Sequence, residues 1–269
     1  MDYNDDYKAI TISVGDVEMD CLTFGHGTRP LVILPGISVR PVVPLAMAVV
    51  AAYAHMTATH TVYLFDRSRP LPADADVATM AEDTVRVMQQ MGLTDVDILG
   101  CSQGGMMAQH IAVTHPELVH RMVLASTMAR ISEPQKDTFV RWLALTEGGD
   151  SQALLADMDA GVYSEAYRRR YAKAFAAVEA LPVEDEDLRR FSIMARACLT
   201  FNLYDRLPAV QCPTFVVGSW GDAVLLPDSS IELARRLQCP LYLYRGYGHA
   251  VYDEAPDFKE RILRFLLEP

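Results

Sequence analysis

The chain has 269 residues, of which 51% are hydrophobic and 22% are charged, proportions typical of a globular protein rather than a disordered one. Its formal net charge of −11 at pH 7 disfavours nucleic acid and anionic membrane surfaces as partners. Five cysteines without regular spacing predict free thiols in a reducing compartment, and hence a cytoplasmic location.

Two segments among the first 60 residues are candidates for a membrane or export signal, and neither has the required pattern. Met1–Asp6 lacks the basic start and apolar core of a signal peptide. The longest apolar stretch, residues 42–53, is too short to span a bilayer and contains Pro44. We interpret this stretch as a buried helix and expect no membrane span.

Strand-like and helix-like segments alternate along most of the chain. Residues 9–14 and 17–24 predict an antiparallel hairpin. Short runs rich in Val, Ile and Leu then predict strands at about 30–35, 61–66, 96–101, 121–126, 213–218 and 240–245. Helical patterns lie between them, near 41–56, 77–91, 103–115, 228–237 and 254–267. This alternation predicts an α/β fold with a mostly parallel central sheet and helices on both faces.

The alternation stops between residues 131 and 208, where the sequence predicts helices only. Ser132 and Gln135 have the spacing of a capping box, which predicts that the first of these helices begins there. Two further helices are predicted at about 164–180 and 187–204. We therefore expect a core of residues 1–130 and 209–269, with residues 131–208 as an inserted helical cap.

The predicted cap is rich in large apolar side chains, most of which we expect to pack the cap onto the core. A minority should line a substrate pocket, because buried ligand sites are mostly apolar. The candidates are Phe139, Trp142, Leu143, Tyr163, Tyr167, Tyr171, Phe175, Phe191, Met194 and Phe201.

A candidate nucleophile lies at the junction between the strand at 96–101 and the following helix. The sequence there is Gly100-Cys101-Ser102-Gln103-Gly104. A serine needs exposure, a fixed position and a neighbouring base before it can attack a carbonyl. A sharp strand-to-helix turn would provide the first two, with glycines where the strand and helix backbones pass close together. The N–H of Gln103, at the start of the helix, would point towards a developing oxyanion. The alternative is a glycine-rich turn with a passive serine.

A base and an acid are expected on loops that follow later strands. Asp222 follows the strand at 213–218, and His249 follows the strand at 240–245 after two glycines. The other six histidines lie within elements or at the wrong end of the sheet, so we interpret them as surface or core residues. Glu133 and Asp253 are weaker candidates for the acid, because each is expected at the start of a helix.

Three motifs together, GCSQGG at 100–105, GSWGD at 218–222 and GYGH at 246–249, resemble those of the α/β-hydrolase superfamily. The resemblance covers most of the chain and is weakest in the predicted cap. It implies a catalytic triad in the order Ser102, Asp222, His249. It also implies that the residue after Gly36, Ile37, gives an oxyanion-hole N–H together with Gln103.

The chain departs from the family pattern at two loops. Pro35 stands where relatives commonly have histidine, so the loop before Ile37 could instead be an ordinary strand-ending turn. Residues 66–70 replace a turn that is glycine-rich in many relatives. We interpret Arg67 and Arg69 in this segment as solvated loop charges rather than substrate contacts.

The sequence therefore predicts a serine hydrolase, similar to carboxylesterases, that cleaves an ester or similar acyl bond of a small to medium, partly apolar substrate. No metal and no cofactor are needed for this chemistry. The same triad could serve C–C bond hydrolysis, lactone opening or cofactor-free perhydrolysis, and the fold could also act as a non-catalytic ligand receptor. A small-molecule substrate is the expected partner, and a homodimer is compatible with the sequence.

Overall fold

A computed structural model describes residues 7–268 of the chain. The prediction that Met1–Asp6 contains no signal peptide concerns a segment outside the described residues. Eight strands form one sheet in the order β1-β2-β4-β3-β5-β6-β7-β8. The strands are β1 (Tyr7–Val14), β2 (Val17–Phe24), β3 (Arg29–Leu34), β4 (His60–Arg69), β5 (Val96–Cys101), β6 (Val119–Ala125), β7 (Thr214–Ser219) and β8 (Leu241–Tyr244). The α/β fold with a central sheet is confirmed.

The strand pairing explains where the loops of the site meet. The hairpin of β1 and β2 is antiparallel, as is the β2–β4 pair, while β3 to β8 are all parallel to one another. The strand order reverses at β3, which lies between β4 and β5. Ligands of open parallel sheets bind where the order reverses, at the carboxyl ends of the strands. The loops after β3 and β5 start side by side there, since Leu34 pairs with Gly100.

Helices cover both faces of the sheet. They are α1 (Ala46–Ala52), α2 (Val77–Gln90), α3 (Gln103–Thr114), α4 (Glu133–Glu147), α5 (Ser151–Val162), α6 (Glu165–Arg170), α7 (Ala172–Glu179), α8 (Asp185–Thr200), α9 (Leu226–Leu237), α10 (Val251–Glu254) and α11 (Phe258–Leu266). No helix among residues 7–268 is both long and apolar enough to cross a bilayer.

The apolar stretch at 42–53 forms a shorter and more exposed helix than the sequence suggested. Only Ala46–Ala52 is α-helical, with a 3₁₀ turn on each side. Pro44 falls in the first turn, before the helix begins. Met47 is 64% exposed, whereas Val50 packs against the sheet. The interpretation of this stretch as a wholly buried helix is therefore wrong.

Five helices, α4 to α8, connect β6 to β7, in the segment expected to form a cap. The first begins as predicted, with Gln135 Oε1 accepting a hydrogen bond from Ser132 N at 2.8 Å. Helix α5 is not among the predicted elements, and the single helix predicted at 164–180 is divided into α6 and α7. The helix expected at 187–204 is α8, which begins two residues earlier and ends at Thr200.

Two apolar layers separate the sheet from its helices. Successive residues of β3 enter opposite layers, because side chains alternate along a strand. Val32 and Leu34 pack with α2, α3, α9 and the helices that follow β6. Leu31 and Ile33 pack with α1 and α11. This double cover leaves the carboxyl edge of the sheet for the loops that carry the predicted site residues.

Candidate active site

Ser102 lies at the tip of the turn between β5 and α3. Its backbone has φ 52° and ψ −121°, in a region that a residue with a side chain rarely adopts. Such a conformation costs about 1–3 kcal/mol and persists only where neighbouring contacts enforce it. Here Ser102 N donates to Ala125 O at 2.9 Å, and Thr127 Oγ1 donates to Ser102 O at 2.7 Å. The end of β6 thus holds the serine in its strained turn.

Glycines flank the serine because backbones cross there. A Cβ added to Gly104 would lie 1.9 Å from Leu34 O, at the end of β3. A Cβ on Gly100 would lie 2.6 Å from the Cα of Gly105 in α3. These distances leave no room for a side chain, which accounts for the spacing of the motif around Ser102.

The structure brings Asp222 and His249 together. His249 Nδ1 donates to Asp222 Oδ2 at 2.8 Å, and Asp222 Oδ1 accepts from the N–H groups of Val224 and Leu225, both at 2.9 Å. Burial opposes ionisation of Asp222, but the charge and hydrogen bond of His249, with the two backbone donors, outweigh it. The pKa of the Asp222 carboxyl therefore lies below its usual range, and the carboxylate is available to orient the ring.

Ser102 and His249 line the same cavity. Both residues are buried, with 8% of the surface of Ser102 and 2% of the surface of His249 exposed. Within the described chain no hydrogen bond joins Ser102 Oγ to the free ring nitrogen of His249. Such bonds are often long without substrate and tighten when it binds. The structure thus brings the three predicted catalytic side chains to one edge of the sheet.

The two predicted oxyanion donors also lie beside Ser102. A Cβ on Gly36 would lie 3.1 Å from Ser102 Cβ, so the loop that carries Ile37 passes directly over the serine. Gln103 is the first residue of α3. Neither the Ile37 N–H nor the Gln103 N–H donates to another group in the described part of the chain. Both are free to bind a ligand oxygen.

The cavity has a volume of about 330 Å³ and is mainly apolar. Of the large side chains that we expected to contribute, Phe139, Trp142 and Tyr163 line it. Three charged side chains do so as well: Arg40, Asp159 and Asp187. Its apolar walls also include Ile37, Val39, Leu45, Leu155, Met158, Val162, Val178, Leu181 and Val224.

Asp159 is a partly buried carboxylate in the cavity wall. Burial raises its pKa to about 6, with a further contribution from the nearby carboxylate of Glu179 and an opposing one from Arg168. The charge of the cavity wall therefore changes between about pH 5 and pH 7.

The loop that carries His249 is tied to the helices after β6 through a buried carboxylate. Glu254 Oε1 accepts from Gly248 N and from Ser164 N, both at 2.9 Å, and Glu254 Oε2 accepts from Ser164 Oγ. The next residue after His249, Ala250, donates its N–H to Val162 O at 2.9 Å. Both contacts reach the junction between α5 and α6, which sequence analysis did not connect with the site.

The interpretation of Arg67 as a solvated loop charge is wrong. Arg67 is only 2% exposed, and its neighbour Asp66 is 4% exposed. Arg69 does face solvent and pairs with Asp20. β4 extends to Arg69 instead of ending at residue 66, and residues 64–68 of this strand are all buried, so Arg67 is enclosed whereas Arg69, the last residue of the strand, is exposed.

The remaining histidines of the described chain lie away from the cavity. His60 and His120 bind Asp97 at the amino edge of the sheet, and His110 and His115 bind Glu82 of α2. Residues 7–268 contain no group of three or more His, Cys, Asp or Glu side chains arranged to hold a metal ion.

Comparison with known proteins adds a family and several relatives. A family model described as alpha/beta hydrolase fold matches residues 64–256. A Rhizobium rhizogenes protein named as a carbamate hydrolase, RutD, is 26% identical over 199 residues, covering 73% of this chain and 76% of its own length. A Haemophilus influenzae protein named as an esterase/lipase is 27% identical over 207 residues, covering 70% of this chain and 66% of its own length. The enol-lactonase of Burkholderia xenovorans superposes with a TM-score of 0.85 at 19% identity, covering 96% of this chain and all of its own (100%).

Proposed function

The chain belongs to the α/β-hydrolase fold family and is a hydrolase, and on that premise we propose that it is a serine hydrolase of carboxylic esters or similar acyl bonds. The observation that carries the proposal is the strained Ser102 in the same cavity as the His249–Asp222 pair. We also propose that the helices between residues 131 and 208 act as a cap, since three of their aromatic side chains line that cavity.

The reaction follows from the positions of these groups. Ser102 Oγ attacks the substrate carbonyl carbon while the free ring nitrogen of His249 takes the hydroxyl proton. The negative charge that develops on the carbonyl oxygen is stabilised by the N–H groups of Ile37 and Gln103. Asp222 holds the resulting imidazolium in its orientation.

The tetrahedral intermediate then breaks its bond to the leaving alcohol, which departs with the proton from His249. An acyl group remains on Ser102 Oγ. A water molecule attacks this ester, His249 again takes a proton, and the acid product leaves as Ser102 regains its hydrogen. Each step needs only side chains and backbone groups of this chain, together with water.

The apolar cavity favours a small or medium acyl or alcohol group. Carbamates form a second substrate class to test, because a relative that is 26% identical carries the name of a carbamate hydrolase. In a carbamate ester the same attack at the carbonyl carbon would expel the alcohol, which departs with the proton from His249, and leave a carbamoyl group on Ser102 Oγ for water to hydrolyse.

The test is covalent labelling combined with turnover. A fluorophosphonate probe should label the protein, and Ser102→Ala should abolish labelling and lower the kcat for 4-nitrophenyl esters by about 10³-fold or more. Ser38→Ala is a matched control, since Ser38 is a second hydroxyl in the cavity wall and should leave labelling intact. Labelling that persists in Ser102→Ala would show that another residue is the nucleophile, whereas a wild-type protein that neither reacts with the probe nor hydrolyses esters would show that the triad is idle.

A panel of 4-nitrophenyl esters, aryl carbamates and lactones would then rank the substrate classes by kcat/KM. We expect esters with short to medium acyl chains to be the best substrates. A protein that reacts with the fluorophosphonate but hydrolyses only carbamates would keep the Ser102 mechanism and replace the substrate class.

A further inference from the structure

Arg67 has an enclosed guanidinium for which the proposed reaction gives no role. It does not line the cavity with Ser102, and its Nη1 has no hydrogen-bond partner among the described residues. Burial lowers the pKa of Arg67 to about 10, with the charge of Arg190 acting in the same direction and that of Asp66 against it. Arg67 is therefore still a cation at neutral pH. Burying a cation costs free energy unless hydrogen bonds or opposite charges compensate for the lost water.

Those contacts reach both segments that carry the proposed oxyanion donors. Arg67 Nη2 donates to Pro35 O at 2.8 Å and to Gln103 Oε1 at 3.1 Å, and Nε donates to the same Gln103 oxygen at 3.3 Å. Pro35 lies two residues before Ile37. One planar group thus bridges the loop after β3 and the first residue of α3.

The Gln103 side chain is fixed from its other end as well. Its Nε2 donates to Met194 O at 2.6 Å and to Cys198 Sγ at 3.2 Å, both on α8. The amide therefore has contacts on both its oxygen and its nitrogen, and it spans from α8 to Arg67. Movement of the Arg67 guanidinium would leave the Gln103 side-chain oxygen without these two hydrogen bonds.

Asp66 fixes the backbone of Arg67 and links it to two other segments. Asp66 Oδ1 accepts from Arg67 N at 2.8 Å and from Arg190 Nη1 at 3.1 Å, and Oδ2 accepts from Val42 N at 2.8 Å. Val42 follows the loop that carries Ile37. The same short segment of β4 therefore fixes this loop at two points, Pro35 and Val42.

We propose that Arg67 is a positioning residue that sets the separation of the Ile37 and Gln103 N–H groups, so that transition-state stabilisation depends on it although it touches no substrate. This inference rests on the proposed function. Oxyanion donors act only when they are aimed at the place where charge develops, and small displacements of such groups are costly for kcat.

Two substitutions of Arg67 and one matched control test the proposal. Arg67→Met keeps an unbranched side chain but removes every donor, and we expect the kcat for 4-nitrophenyl butyrate to fall about 10–100-fold with KM changed less than about two-fold. Arg67→Lys can still donate to Pro35 O or Gln103 Oε1 and should recover part of the loss. Arg69→Met, two residues along the same strand and exposed, should behave as wild type.

Inhibitor binding separates positioning from a general loss of structure. A trifluoromethyl ketone forms an anionic tetrahedral adduct with a serine, whereas the corresponding methyl ketone binds mainly as an uncharged ground-state analogue. In Arg67→Met the Ki of the trifluoromethyl ketone should rise by the same factor as kcat/KM falls, while the Ki of the methyl ketone stays constant. Equal losses for the two ketones, or an unchanged kcat, would overturn the proposal.

A second variant covers the case in which Arg67→Met does not fold. Gln103→Met keeps the backbone N–H but removes the acceptor of Arg67, and should give the same kcat-selective loss. An unchanged kcat in Gln103→Met would overturn the proposal equally. If Ser102→Ala is inactive while the Arg67 and Gln103 variants are not impaired, only this inference fails; an active Ser102→Ala would instead refute the proposed function.

Discussion

Two aspartate–histidine arrangements lie at opposite edges of the same sheet. At the carboxyl edge His249 Nδ1 lies 2.8 Å from Asp222 Oδ2, and at the amino edge His120 Nδ1 lies 2.7 Å from Asp97 Oδ1. Asp97 also binds His60 Nε2 at 3.1 Å. By hydrogen-bond length and burial of the carboxylate the two edges are nearly equivalent.

The surroundings of the two carboxylates differ. Asp97 uses both of its oxygens on histidines, so it links β5 to β6 on one side and, across the intervening β3, to β4 on the other. Asp222 uses one oxygen on His249 and the other on backbone donors, and the free nitrogen of His249 faces a cavity that contains Ser102. An aspartate–histidine pair is thus a structural clamp at one edge and includes a candidate base at the other, where the histidine borders the cavity with Ser102.

The same substitution at both carboxylates tests this comparison most strongly. Asp222→Asn should lower kcat by about 10³–10⁴-fold, because the amide no longer holds the imidazolium or its tautomer. Asp97→Asn should leave kcat within about two-fold but lower the free energy of unfolding by about 1.5–3 kcal/mol, through weaker hydrogen bonds to His60 and His120. Ester turnover and urea unfolding of both variants provide the measurements. A large loss of kcat in Asp97→Asn would remove the distinction between the two edges.

A second test concerns the cavity at the carboxyl edge. Trp142 lines it and packs edge-on against Phe139, with ring centroids 5.6 Å apart. Trp142→Ala should cost about 3–5 kcal/mol of stability and should also move the preference of the enzyme towards longer acyl chains, because the removed ring enlarges the cavity.

Trp220 supplies the matched control for this substitution. It is the other tryptophan of the chain and is 49% exposed, so Trp220→Ala should change stability and chain-length profile little. Thermal unfolding and kcat/KM across a series of 4-nitrophenyl esters give both quantities. A destabilised Trp142→Ala with an unaltered chain-length profile would show that the ring serves packing alone.

The smallest expected effect concerns charge in the cavity. As pH rises through about 6, Asp159 loses its proton and becomes negative, because its pKa is raised by burial and by Glu179. The ratio of kcat/KM for 4-nitrophenyl succinate over 4-nitrophenyl butyrate should then fall a few-fold, since the anionic ester meets a like charge. Effects of pH that are common to both esters cancel in the ratio.

Two variants on α5 complete this measurement. Asp159→Asn should make the ratio independent of pH between 5.5 and 7.5, at about its low-pH value. Asp157→Asn, two residues away and bound to Arg141 outside the cavity, should keep the wild-type profile. A pH-dependent ratio in Asp159→Asn would show that Asp159 is not the group responsible for the effect.

The parts of the site that depend on local backbone geometry could be predicted from the sequence. Ser102 was identified through Gly100 and Gly104, whose close contacts lie within one strand–turn–helix unit and at the adjacent strand. Asp222 and His249 were identified because each follows a recognisable strand, and parallel strands end at a common edge. Their roles in catalysis stay predictions.

Arg67 could not be assigned in this way. Its acceptors, Pro35 and Gln103, lie 32 and 36 residues away along the chain, and in sequence it looks the same as the exposed Arg69. Helix α5 was a different kind of miss, because its signal was present. Asp150 caps the helix by accepting from Ala153 N at 2.9 Å, and apolar residues recur at helical spacing from Leu154 to Val162.

The Glu254 contacts have a consequence for how molecules reach Ser102. Glu254 bonds both the backbone before His249 and the start of α6, so a hinge motion that moved α4 to α8 as one body would pull on the loop that carries His249. The route that leaves these bonds intact runs past the exposed side chains of Leu45, Val178 and Leu181 at the rim of the cavity. Rotation of exposed side chains such as these occurs in picoseconds to nanoseconds, whereas domain opening takes microseconds to milliseconds, so we expect entry beside this rim to be the faster of the two.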